Sequence, residues 1–122
     1  IKKLGEELQK EGFGILTEID VQQTLKKKLN VDFKKYKIFG ACNPPIAHQA
    51  LEAEENLGVL LPCNFVVKEN NENEIQVNCV NPLVTMQAVK NEALKDFATV
   101  VYEKLNKVLE NIKWLMNTDL NI

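Results

Sequence analysis

Gly40-Ala41-Cys42-Asn43-Pro44-Pro45-Ile46-Ala47-His48 is the stretch whose reading decides the fold, and Leu61-Pro62-Cys63-Asn64 answers it further along the chain. Tyr36 to Cys42 alternates as a strand does, with Tyr36, Ile38, Gly40 and Cys42 on one face. Asn43 is a strong helix N-cap, and Pro44 fits the first helical position, where the missing N–H would have had no intrahelical partner. The helix so begun buries Ile46, Ala47, Ala50 and Leu51; His48, Glu52 and Glu55 lie off that stripe, and Gly58 is the expected stop. Val59 to Lys68 reads as the next strand, with Leu61, Cys63, Phe65 and Val67 sharing a face. Pro62 there marks a strand start, an edge or a bulge.

Working outward, Ile1, Leu4 and Leu8 recur at helical spacing as far as about Lys10, and Gly12 and Gly14 break the pattern. Phe13, Ile15, Thr17 and Ile19 then alternate with Gly14, Leu16, Glu18 and Asp20, a half-buried strand in which Glu18 and Asp20 share a face. Asp20, three residues before Gln23 and just ahead of Val21, Leu25 and Leu29, carries a capping-box signature for a short helix. Asn70 to Asn73 is a turn, and Glu74 to Val80 returns as a fourth strand with Ile75, Val77 and Cys79 on one face and Gln76 and Asn78 on the other. Asn81-Pro82 repeats the cap-and-proline start for a short helix to about Val89. Asn91 then caps the longest element, expected to reach Leu115 with Met116 completing its apolar stripe. One domain spanning 1–122 is expected, with the last helix covering a sheet.

Composition agrees. The chain has 122 residues, 45% hydrophobic and 26% charged, with a net charge of −2. That length suffices to bury a core, and no basic excess favours nucleic acid. The Lys26-Lys27-Lys28 run and Lys34-Lys35 read as a solvated face. No window approaches the ~20 apolar residues of a membrane span. Three cysteines are too few and too odd for a secreted disulfide framework, so a reducing, cytoplasmic setting is expected, with a Cys42–Cys63 bridge as the alternative. The chain opens at Ile1 without a methionine, and an upstream segment is expected.

The chain resembles the "domain of unknown function 302" family of small bacterial and archaeal proteins. The resemblance rests on Gly12-Phe13-Gly14-Ile15-Leu16-Thr17-Glu18-Ile19-Asp20, Ile38-Phe39-Gly40-Ala41-Cys42-Asn43-Pro44-Pro45, Leu60-Leu61-Pro62-Cys63-Asn64 and the Val80-Asn81-Pro82 step. It implies an α+β fold with helices packed on one side of a mostly antiparallel sheet, assembled as a homodimer. Such proteins carry a strand before the first helix, so a fifth, N-terminal strand is expected to be missing here. At the Asn81 position many relatives carry Asp. The family has no settled activity.

Chemistry centres on the two Cys-Asn pairs. Cys42 precedes a helix N-terminus, where the dipole favours a thiolate. His48 leans back toward it, and Cys63 approaches it if the two strands are neighbours. Cys42, His48 and Cys63 would then suit zinc or another thiophilic metal, although the Cys-x5-His-x14-Cys spacing matches no common zinc pattern. The same residues read equally as buried, quiet cysteines and a His48–Glu52 surface pair, with Cys79 filling core. An acyl-transfer triad of Cys42, His48 and Glu18 or Asp20 is the weakest sketch. The leading expectation is a dimer that binds a small molecule or metal in a cleft lined by Glu18, Asp20, Cys42, Asn43, His48, Cys63 and Asn64. The alternatives are a redox or metal-dependent enzyme using Cys42 with Cys63, and a structural oligomerisation module.

Overall fold

The protein is described by a computed structural model over residues 2–112 and 117–119. In chain order the elements are α1 (Lys2–Lys10), β1 (Gly14–Asp20), α2 (Val21–Leu29), β2 (Tyr36–Cys42), α3 (Pro44–Ala53), β3 (Cys63–Glu69), β4 (Ile75–Cys79), α4 (Pro82–Thr85), α5 (Ala93–Ile112) and β5 (Asn117–Asp119). The sheet runs β1-β2-β3-β4-β5, antiparallel throughout except for the parallel β4–β5 pair. The expected α+β class, a four-strand antiparallel sheet backed by helices, is what forms. A fifth strand, Asn117–Asp119, lies at the β4 edge of the sheet.

One face of the sheet makes the core. Phe39 and Ala41 of β2 face Phe65 and Cys63 of β3, and Val77 and Cys79 of β4 continue the layer. Leu4 and Leu8 of α1 and Leu105, Val108, Leu109 and Ile112 of α5 cover it, all essentially inaccessible. Burying each large apolar side chain is worth about 1.5–3 kcal/mol, so this layer dominates the favourable side of folding. A second cluster, Ala50, Leu57 and Leu94, holds α3 against the start of α5. Glu7 is buried between α1 and α5. Its carboxylate accepts from Lys10 Nζ at 2.8 Å and from Asn111 Nδ2 at 2.9 Å, with Lys3 Nζ at 3.3 Å.

The caps form as the sequence predicts. Asp20 accepts from Gln23 N at 3.0 Å, Asn43 from Ile46 N at 3.3 Å and Asn81 from Leu83 N at 3.0 Å. Asn91 accepts from Ala93 N at 3.1 Å and also donates to Ala53 O at 2.9 Å, tying the start of α5 to the end of α3. The expected continuation of α5 through Leu115 and Met116 lies outside the described residues.

Two local expectations are corrected. The β1–β2 register shifts between Ile15 and Thr17, so Ile15 faces Ala41 on the helix side while Thr17 and Ile19 face Gly40 and Ile38 on the other. This bulge at Leu16 splits the expected Ile15-Thr17-Ile19 face, and β1 is exposed along nearly its whole length. Helix α3 stops at Ala53, not Gly58, and a 3₁₀ turn occupies Glu55–Leu60, so β3 starts at Cys63 instead of Val59. Glu54 turns extended and its carboxylate accepts from Asn56 N, which swings Leu57 into the second cluster. The burial of Leu57 at 3% exposure decides the bend.

Candidate functional site

Gly40 sets the geometry where the two signature stretches meet. A Cβ there would collide with Thr17 Oγ1 and with the Pro62 ring, so only glycine lets Pro62 lie against β2. Seating Pro62 brings Cys63 opposite Ala41 in the β2–β3 pairing. On the other side of the junction, Gly12 holds φ +85 after α1, a conformation that favours glycine. Asn43 uses both ends of its amide there, accepting from Ile46 N and donating to Glu11 O at 3.2 Å. The end of β2, the start of α3 and the end of α1 are thereby fixed together.

Cys42 and Cys63 line one cavity of about 50 Å³ between α3, α5 and the sheet. Around them stand Ala50, Leu57, Leu94 and Phe97, so the walls are almost wholly apolar. All three cysteines are free. Burial raises the Cys42 thiol, which is the reverse of the helix-mouth expectation. Asn43 Oδ1 already engages an N–H of the first helical turn, and the surroundings offer the thiolate little solvation. Cys63 is pushed up to about 11, first by burial and then by the nearby Cys42. Cys79 is raised further by deeper burial and by Cys63, and its Sγ donates to Val80 O at 3.3 Å.

The other expected site residues fall elsewhere. His48 is exposed on the outside of α3, with Nε2 2.7 Å from Glu52 Oε1. Glu18 is exposed and pairs with Lys37 Nζ at 3.2 Å. Asp20 is occupied as a helix cap. Asn64 points to the sheet face away from the helices, where it lines a separate cleft. The single seven-residue cleft is therefore corrected to a helix-side cavity holding Cys42, Asn43 and Cys63, with Asn64 across the sheet from it. Among the described residues, no group of three His, Cys, Asp or Glu is placed to hold a metal ion, so Cys42, His48 and Cys63 form no such set. The acyl-transfer sketch loses its base for the same reason: His48 pairs with Glu52. Sequence reasoning missed the apolar walls supplied by Leu57, Leu94 and Phe97. Leu94 and Phe97 were legible only as a helix stripe, and Leu57 carried no signal before the 3₁₀ turn was known.

The family model described as "Domain of unknown function DUF302" matches residues 1–112. The chain belongs to the DUF302 family. Its fold is similar to the crystal structure of an uncharacterized conserved DUF302 protein from Bacillus stearothermophilus, with 28% identity and a TM-score of 0.77 over 89% of this chain and 84% of that one. No curated protein matches. For this DUF302 chain, the Gly40-to-His48 and Leu61-to-Asn64 signatures thus coincide with a glycine-dependent junction and a thiol-lined cavity. No helix among the described residues is long and apolar enough to cross a membrane.

Proposed function

We propose that this DUF302 domain is a binding module for a small thiophilic species held between Cys42 and Cys63, and that it works as a homodimer in a reducing cytoplasmic setting. The observation that carries the first part is that both thiols line the same apolar cavity. Size decides the ligand class. An apolar cavity of about 150 Å³ is what benzene requires, and this one is about 50 Å³, which suits a single soft ion and not a ring. Two thiols, with the Met86 thioether in the same lining, make an all-sulfur donor set that suits a soft d10 monovalent ion better than tetrahedral zinc. A redox or nucleophilic role is less well supported, because burial raises both thiols and a free thiolate would stand unsolvated in this cavity, whereas a bound cation compensates the charge as the protons leave.

The test is titration of reduced protein with Ag(I) while the alkylation of each cysteine is followed by mass spectrometry. About one equivalent should protect Cys42 and Cys63 together, with release of protons, and Cys42→Ser or Cys63→Ser should abolish the joint protection. Independent protection of the two thiols sinks the reading.

The dimer is favoured by β1. It is an edge strand whose outer side has no strand partner among the described residues, and it exposes Leu16 at 66% and Ile19 at 50%. Such an edge pairs readily with another chain. Light scattering at micromolar concentration should give twice the chain mass, and Leu16→Lys should reduce it to the single-chain value. A monomeric parent protein refutes the assembly.

A further inference from the structure

The sheet face away from the helices has a second cavity that the thiol site does not explain. The 3₁₀ turn Glu55–Leu60 and Pro62 overhang this face and enclose a cleft of about 260 Å³. Its rim is apolar, with Val59 standing 87% exposed at the mouth. Its polar groups are two side-chain amides. Asn64 pairs with Gly40, and Asn78 pairs with Val66. Because Val80 N donates to Asn64 O at 3.1 Å, Asn64 and Asn78 are diagonal neighbours on one face.

Asn78 Oδ1 is buried and has no hydrogen-bond partner among the described residues. A buried carbonyl oxygen without a donor is costly, and native structures keep few of them. The backbone of β4 does not require asparagine at this position, since Gln76 and Asn78 lie on the face opposite the packed core. Among the described residues no Lys, Arg, Asp, Glu or His lines the cleft. A charged ligand would therefore lose its hydration without compensation.

We propose that this open-face cleft is a binding site for a small neutral molecule that carries an N–H donor on a flat apolar body, of the carboxamide or nucleobase-amide kind. The donor satisfies Asn78 Oδ1, the exposed Asn64 amide supplies a second polar contact, and Val59, Pro62 and Val80 cover the apolar part. The volume corresponds to roughly eight or nine waters, enough for a single ring with an amide. The site does not use the thiols: Cys42 and Cys63 line the cavity on the helix side, and the two cavities have Leu61 and Pro62 in common in their walls.

Benzamide and methyl benzoate, alike in shape but only one of them a donor, are the probes. Each is titrated into 15N-labelled protein while the side-chain amide signals of Asn64 and Asn78 are followed. Benzamide should move both signals saturably, with a Kd on the order of 1 mM for a fragment of this size. Methyl benzoate should bind about tenfold more weakly. Asn78→Leu, which keeps the shape and removes the orphan oxygen, should abolish the difference between the probes and raise Tm by about 4 °C. Equal binding of the two probes, or no movement of either signal, overturns the proposal. So does a lowered Tm or a failure to fold in Asn78→Leu, since either would show that the side chain is already satisfied within the protein.

Discussion

At the scale of single residues, Cys63 shows how strongly placement overrides residue type. Its thiol is pushed from an ordinary 9.0 to about 11, chiefly because burial leaves a thiolate poorly solvated. The unfolded chain therefore gives up this proton first. Above pH 9 the unfolded state binds fewer protons than the folded one, and stability falls with rising pH until about pH 11. The loss expected from this group is about 2–3 kcal/mol. Urea melts between those pH values should show it, and Cys63→Ala should make the slope shallower by this group's share, with Cys79 and Cys42 still contributing theirs. An unchanged slope would refute the assignment. The sequence announced a cysteine at this position but not its environment, because a helix mouth and an apolar cavity pull a thiol in opposite directions. Gly40 was legible in the opposite sense. Its presence was plain, while the reason for it, the Pro62 ring lying against β2, exists only once β3 is paired.

At the scale of elements, what could be read locally was read well. Asp20, Asn43, Asn81 and Asn91 all cap as expected, since a cap is decided by residues within one turn. The end of α3 and the bulge in β1 were not legible, because each is fixed from a distance. Leu57 is drawn in by Leu94, and Leu16 is squeezed out by the pairing of Ile15 and Thr17 with β2. Asn43 belongs to both categories, as it caps α3 and also reaches back to Glu11 O. Asn43→Asp should keep the cap and lose the second bond, whereas Asn43→Ala loses both. Alanine should cost about 1–2 kcal/mol and aspartate clearly less, as read by chemical denaturation. Equal costs would mean that the bond to Glu11 carries the effect.

At the scale of the whole molecule, the individual helices and strands followed from periodicity and the α+β class from the family resemblance, and the candidate site from neither. Cys42, His48, Glu18 and Asn64 are close in the chain's signature stretches, yet the pleat of a sheet sends neighbours to opposite faces and the helix turn sends His48 to solvent. Glu7 was equally hidden. It sits among helix-forming polar residues, and only the arrival of Asn111 makes it an interior carboxylate, held below the usual carboxylate range chiefly by Lys10 against the opposing pull of burial.

The bond between Glu7 and Asn111, with Leu4 and Leu8 packed beneath Leu105 to Ile112, has a consequence in time. The first helix and the last share one core, so the sheet's inner face stays unsealed until α5 has been made. During synthesis on the ribosome, β1 to β4 emerge with Phe39, Phe65 and Val77 still bare, and docking of the final helix closes the fold. Contacts of such long sequence separation slow the search for the native state, and the waiting interval is when a nascent chain of this kind depends most on chaperones.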